Sequence, residues 1–274
     1  MITRLAPTPS GFLHLGNAVN FQLIAWLAAS KEGEVVLRID DMDAPRYRPE
    51  YVDDVFDLLD WMGIAWHRGP RTRGEFETEH SLTHRTAHYR SALDRVRDNG
   101  LECYACSCTR SSIAGVPTGG CSGGCRAAQR RLETGVTALR AHVPVGTVIP
   151  VQGRDVRLDD AVGDFVVWRR DGLPAYHLAC VVEDEALATT HVVRGEDLRE
   201  STAAQLFLAR HLGAAAFLAA EFLHHPLLTD ESGRKLSKSQ LSGGEPLARS
   251  RHMLARVHAA AAALAPTVGI IAPD

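Results

Sequence analysis

Lysine is scarce in this chain: Lys31, Lys235 and Lys238 stand among 30 basic residues, and the rest are arginine. Two of the three share the stretch Lys235-Leu-Ser-Lys238-Ser239, just after the Gly-containing turn Asp230-Glu-Ser-Gly-Arg234. A paired ammonium site in an arginine-using chain points to chemistry that a guanidinium does not replace. Two ammonium groups on one loop can neutralise charge building on a pentavalent phosphorus and a departing pyrophosphate. The bland alternative is a solvated basic loop, and the scarcity of lysine weighs against it. Near the other end, Arg4-Leu-Ala-Pro-Thr-Pro-Ser-Gly-Phe-Leu-His14-Leu-Gly16-Asn17 reads as a strand, a Pro/Gly-rich turn and a helix start. The helix dipole and its free N–H groups attract phosphate, Gly16 allows close backbone approach, and His14 can hydrogen-bond an oxygen. Taken alone, an ordinary strand–helix turn with a surface histidine explains this segment equally well.

Five of the six cysteines, Cys103, Cys106, Cys108, Cys121 and Cys125, fall within 23 residues, and the sixth is Cys180. A secreted disulfide scaffold would be short and would follow a signal peptide. Two close pairs, Cys106-Ser-Cys108 and Cys121-Ser-Gly-Gly-Cys125, match the four thiolates of tetrahedral structural zinc. Cys103-x-x-Cys106 is a competing pair, and the spacing alone leaves both open.

The elements that must position these residues follow from periodicity. Thr3 to Ala6 is a short strand ended by Pro7 and Pro9, and 17–31 an amphipathic helix with Val19, Leu23, Trp26 and Leu27 on its apolar side. Glu34 to Asp40 is an apolar run suited to a buried parallel strand, ending in Asp40, Asp41 and Asp43. Helices are expected over 51–62 and 84–99, each closed by glycine. Short strands are expected over 138–143, 147–151 and 165–169, then 175–182, 191–193 and 222–228, with helices over 201–212 and 246–264. Strands alternating with helices imply an α/β fold: a doubly wound parallel sheet interrupted by an inserted small domain. Ligands then sit beyond the carboxyl ends of the strands, where both the His14 loop and the acidic cluster lie. The expected division is a catalytic domain over 1–100 and 175–245, a zinc-bearing insertion over 101–174 and a helical tail over 246–274. With no charged-then-apolar leader and no apolar run near eighteen residues, a soluble cytoplasmic protein is expected.

His14-Leu-Gly-Asn resembles the first signature of class I aminoacyl-tRNA synthetases, and Lys235-Leu-Ser-Lys-Ser the second. Arg4-x-Ala-Pro-x-Pro-x-Gly, Leu37-Arg-Ile-Asp-Asp-Met-Asp43, Tyr176-His-Leu-Ala-Cys-Val-Val-Glu-Asp and Arg194-Gly-Glu-Asp look like the glutamyl branch. The resemblance runs from about residue 2 to 245 and is closest to the glutamyl-queuosine tRNA(Asp) synthetases. It implies a Rossmann-like class I fold, with ATP held by His14, Gly16, Asn17 and Lys238, and catalysis by His14, Lys235 and Lys238. It implies a glutamate pocket of Arg4, Ala6, Pro7, Thr8, Asp40, Tyr176 and Arg194. Arg4 and Arg194 offer bidentate partners for the side-chain carboxylate, and Tyr176 can donate its hydroxyl there. The residue that takes the substrate ammonium in this family is normally Glu; here it is Asp40, whose shorter side chain needs a bridging water or a shifted backbone. Among the cysteines the resemblance favours Cys106, Cys108, Cys121 and Cys125 as ligands, which leaves Cys103 and Cys180 as buried thiols.

The implied partners are Mg-bound ATP, L-glutamate and the anticodon stem–loop of tRNA(Asp), with structural zinc and a monomeric chain. A full glutamyl-tRNA synthetase continues into an anticodon-binding region. Only 35 residues, 240–274, follow the lysine signature, fewer than the roughly 50 of a small domain. The expected reaction is therefore ATP-dependent activation of glutamate and its transfer to queuosine. The rivals are a compact glutamyl-tRNA synthetase charging the RNA 3′ end, a non-catalytic tRNA-binding paralogue and a ligase acting on a small amine. Net charge is only −3, so an RNA partner requires local basic faces. Arg126, Arg130 and Arg131, and Arg249, Arg251 and Arg256, are the candidates.

Overall fold

The computed structural model describes residues 1–109, 111–113, 121, 123–228 and 244–273. The loop carrying Lys235 and Lys238 lies outside these described residues. Along the chain run β1 (Ile2–Leu5), α1 (Leu15–Ser30), β2 (Glu34–Leu37), α2 (Pro49–Trp61), α3 (Arg73–Glu75) and α4 (Thr86–Asp98). Next come β3 (Cys103–Cys106), α5 (Gly124–Ala127), β4 (Ala138–Ala141), β5 (Val148–Val151), β6 (Arg154–Arg157), α6 (Leu158–Ala161) and β7 (Phe165–Trp168). Then follow α7 (Tyr176–Ala186), β8 (His191–Gly195), α8 (Arg199–Leu212), α9 (Ala215–Ala219), β9 (Glu221–His225) and α10 (Arg251–Leu264). They form two compact units, 1–84 with 189–197 and 221–274, and 85–188 with 198–220.

The first unit is built on parallel strands. β1 pairs with β2 from Ile2 opposite Glu34 to Leu5 opposite Leu37, and β8 pairs with β9 from His191 opposite Glu221 to Gly195 opposite His225. The pairs meet at Thr190, whose N–H donates to Ile2 O at 2.9 Å and whose hydroxyl oxygen accepts from Ile2 N–H at 2.8 Å. Both β1 and β2 have three buried residues in four, as buried parallel strands require. α1 is more buried than a one-sided amphipathic helix. Leu15, Val19, Leu23 and Leu27 join Phe21 and Ile24 in the core, and α10 packs along it. α2 contributes Val52, Val55, Leu58 and Leu59, all fully buried. Each such side chain contributes roughly 1.5–3 kcal/mol through apolar burial. At Gly69, with φ +106°, an added Cβ would lie 2.1 Å from Leu37 O, so only glycine lets this segment close on the end of β2.

The second unit centres on an antiparallel sheet in the order β3-β4-β7, with Tyr104 opposite Arg140 and Cys106 opposite Ala138. A β5–β6 hairpin pairs Val148 with Arg157. Glu183 on α7, only 2% exposed, holds α4: the Arg85 guanidinium and the Tyr89 hydroxyl each donate to it at 2.5 Å. The expected strand over 175–182 is instead α7. Leu178, Ala179, Val181 and Val182 are all buried, and so are Glu183 and Asp184. A helix covered on every side shows an unbroken apolar run, which periodicity does not separate from a buried strand.

Candidate functional site

The loop between β1 and α1 is fixed from both of its sides. His14 is the N-cap of α1: its N–H donates to Asn17 Oδ1 at 3.0 Å, and Asn17 N–H donates to His14 Nδ1 at 3.4 Å. This reciprocal capping box orients the imidazole and leaves Nε2 outside it. Gly16 lies beneath the ring: an added Cβ would sit 3.0 Å from His14 Cε1 and 3.1 Å from Nδ1, so the imidazole would have to give by a few tenths of an ångström. Just upstream, Leu13 N–H donates at 2.8 Å to Asp54 Oδ2 on α2, and the second Asp54 oxygen accepts from Arg249. Asp54 is 4% exposed, so Arg249 neutralises a buried carboxylate that braces the loop. Of the six candidate RNA-facing arginines, Arg249 is the one paired with Asp54. Arg251 and Arg256 on α10 are exposed, as are Arg130 and Arg131 in the other unit.

The predicted glutamate-side residues of the first unit lie on neighbouring strands and their ends. Arg4 is buried on β1 and Arg194 on β8, where its guanidinium lies 5.4 Å from the Phe222 ring centre. Asp40 N–H donates to Pro7 O at 2.8 Å, which sets the end of β2 against the Ala6-Pro7-Thr8 turn. The Asp40 carboxylate is gripped by Arg38, whose Nε donates at 2.7 Å and Nη2 at 3.2 Å. Its neighbour Asp41 is buried, which pushes its carboxyl above the ordinary value; Ser81 Oγ and Leu82 N–H donate to it at 2.5 and 2.9 Å. His225, at the end of β9, is buried with Nδ1 donating to Pro226 O at 2.8 Å and Nε2 3.1 Å from the Asn20 side chain. Burial lowers its pKa from the ordinary 6.5. Tyr176 belongs to the second unit, where it opens α7 with 43% exposure.

Sequence reasoning missed Asp54, Arg38 and His225. For Asp54 a signal was present: it lies four residues before the core position Leu58, on the same helical face.

The second unit brings the four cysteines together. The sulfurs of Cys106, Cys108, Cys121 and Cys125 all lie within 4.8 Å of one another, with Cys108 Sγ at 3.7 Å from Cys121 and 3.6 Å from Cys125. Four sulfurs about 2.3 Å from a tetrahedral zinc stand roughly 3.8 Å apart, so the donor set fits that metal in type and spacing. Burial pushes Cys108 up to about 12. Cys125, although desolvation raises it, is brought down to about 6 by hydrogen bonds from the Ser107 backbone and its neighbouring thiols. Such crowded sulfurs compete for protons that one divalent cation can replace. Cys103 is outside the group, and burial pushes it up to about 11, as an inert thiol requires. Cys180 is buried on α7, 3.4 Å from Asp184 Oδ2.

A family profile described as tRNA synthetases class I (E and Q), catalytic domain, matches residues 1–245, and the chain belongs to that family. It is accordingly a ligase of the aminoacyl-tRNA-synthetase kind. Within it, the chain is similar to proteins named Glutamyl-Q tRNA(Asp) synthetase. The one from Nitratidesulfovibrio vulgaris is 38% identical over 258 residues, covering 87% of this chain and 78% of that one. The one from Pseudomonas putida strain W619 is 39% identical over 246 residues, covering 88% and 78%. A glutamate–tRNA ligase of Frankia alni is 38% identical over 244 residues, covering 86% of this chain and 49% of its own. Among solved structures, the glutamate-tRNA synthetase from Elizabethkingia anophelis matches with a TM-score of 0.69 at 22% identity. That match covers 88% of this chain and 53% of the other, and it shows the class I fold; the chain spans about half that synthetase's length. Among the described residues no helix is long and apolar enough to cross a membrane.

Proposed function

We propose that the protein activates L-glutamate with Mg-bound ATP and transfers the glutamyl group to queuosine in the anticodon of tRNA(Asp). What carries this acceptor is the name shared by relatives at 38–39% identity. The activation half is supported by the capped His14–Gly16–Asn17 turn at the end of a parallel strand, the usual place for a phosphate-bearing ligand.

In this reading Arg4 and Arg194 take the glutamate side-chain carboxylate, Tyr176 donates its hydroxyl to the same end, and Ala6, Pro7 and Thr8 line the pocket. Asp40 receives the ammonium while sharing its carboxylate with Arg38. The α-carboxylate of glutamate attacks the α-phosphorus of ATP, and pyrophosphate leaves. His14, Lys235 and Lys238 stabilise the charge that develops, so the work is positioning and neutralisation, with no covalent enzyme intermediate. A hydroxyl of the queuosine cyclopentenediol then attacks the glutamyl carbonyl and releases AMP. Cys106, Cys108, Cys121 and Cys125 would hold structural zinc, which supplies cross-linking and no chemistry.

Labelled glutamate offered with ATP to two tRNA(Asp) anticodon stem–loops tests the acceptor. The queuosine-bearing one should be labelled and the guanosine-bearing one should not. The second reading, an ordinary glutamate–tRNA ligase, is favoured by the match to the Frankia alni enzyme. Label on the terminal adenosine of tRNA(Glu), with none on the stem–loop, would establish it instead. Aspartate should be a poor substrate, since it falls one methylene short of the arginines.

A further inference from the structure

Beside the four cysteines lies a cavity of about 320 Å³ whose lining joins Cys106 and Cys108 to Arg140, Arg169 and Arg170. Three guanidinium groups on one small cavity need counter-charges. Arg169 has one, an ion pair with Asp171. Arg140 and Arg170 instead donate to neutral acceptors. Arg140 Nη1 donates to the Asp164 backbone oxygen at 2.7 Å, and Arg170 Nη2 donates to the Cys108 backbone oxygen at 2.5 Å. Arg140 is 6% exposed, and its buried Nε has no hydrogen-bond partner among the described residues. Its place is set by strand register: it stands opposite Tyr104 on β3, two residues from Cys106 and so on the same face of that strand.

With the metal bound, the charge on the other wall would be opposite. A divalent cation held by four thiolates leaves roughly two negative charges on the centre. Charge taken out of water needs a partner of opposite sign close by. We infer that Arg140 and Arg170 are the counter-charges of the four-cysteine centre, one approaching through the sheet and the other anchored to a ligand's own carbonyl. The inference rests on the metal reading above, and assigns these two arginines a part in metal retention. An anion-binding cavity is the competing use of the same side chains. It is disfavoured because the thiolate centre already supplies the negative charge they require.

The test is zinc affinity of the whole chain, by competition with a chromogenic chelator, once metal content of the wild-type protein is known. Arg170→Met and Arg140→Met should each weaken zinc binding about 10- to 100-fold, as loss of outer-shell partners does. Arg170→Lys, which keeps the charge, should lose far less. Arg169→Met, on the same cavity but already paired, should bind zinc like the wild type. Should Arg140→Met fail to fold, the half-buried Arg170 still decides the matter. Wild-type affinity in Arg170→Met overturns the inference. So does an equal loss in Arg170→Lys, which would reduce the residue to a hydrogen-bond anchor, or an equal loss in Arg169→Met. Binding of inorganic phosphate that Arg170→Met abolishes without changing zinc affinity would likewise overturn it in favour of an anion site. A wild-type protein that takes up no zinc at all would instead sink the metal reading itself.

Discussion

The imidazole of His14 is held by its own helix, so the residue most exposed to a change at Gly16 is one that remains chemically intact. An alanine methyl there would press on Cε1 and Nδ1 at 3.0–3.1 Å and turn the ring away from its cap. Gly16→Ala should therefore lower glutamate-dependent ATP–pyrophosphate exchange by about 10- to 100-fold, because small misplacements at a reacting centre cost that much. Its denaturant midpoint should stay near wild type; a large drop there would mean the glycine serves packing alone. His225 titrates in the opposite sense from a salt-bridged histidine. Its folded-state pKa lies below the unfolded 6.5, because burial disfavours the charged ring. The unfolded chain then binds the extra proton, so the stability that His225 contributes is complete above pH 6.5 and is lost as pH falls through the folded value. His225→Gln should flatten the decline of the unfolding midpoint between pH 6.5 and lower pH. An unchanged pH profile would show that other groups govern acid sensitivity.

Among the elements, the α1–α2–α10 side of the first unit depends on one buried polar clasp within apolar packing. Arg249→Met would leave Asp54 buried with, among the described residues, the Leu13 N–H as its donor, and removing one partner of such a pair costs about 3 kcal/mol. Denaturant unfolding should show that loss, whereas Arg251→Met, on an exposed position of α10, should change stability by about 0.5 kcal/mol or less. Equal stability of the two variants would remove Arg249 from the clasp. That clasp also marks where the sequence was illegible. β1, α1, β2, α2 and the β4, β7 and β8 strands were readable because their apolar pattern is local; the cysteine spacing left Cys103 and Cys108 as rival partners of Cys106, and the family resemblance favoured the four sulfurs that do come together. α7 was not, because an all-round buried helix has no polar face to reveal its period. β3 was hidden inside the cysteine-rich stretch, where ligand spacing drew the reading away from strand alternation. Pairings such as Asp54 with Arg249, 195 residues apart, are decided by tertiary contact and leave no local trace.

Considered whole, the chain carries a net charge of −3 and must meet an RNA partner through local faces such as the exposed Arg130 and Arg131 after Cys125. The residues proposed for activation, Arg4, His14, Gly16 and Arg194, belong to the unit of parallel strands, while the four cysteines belong to the unit of the β3-β4-β7 sheet. Within that second unit the cysteine group is tied into the sheet. Tyr104 packs with Cys106 and Cys125, and its hydroxyl donates to Asp164 at 2.7 Å; Asp164 also accepts from Val143 N–H at 2.8 Å. Stripping the metal should loosen this network and the arginine-bearing turn that follows Cys125, because metal binding and local folding are the same free energy. Chelation should therefore reduce glutamate transfer to RNA by about tenfold or more, while glutamate-dependent ATP–pyrophosphate exchange changes by about twofold or less. Both assays on one chelated preparation, with zinc restored as the control, decide it. A parallel collapse of exchange and transfer would mean that the metal supports activation as well as transfer.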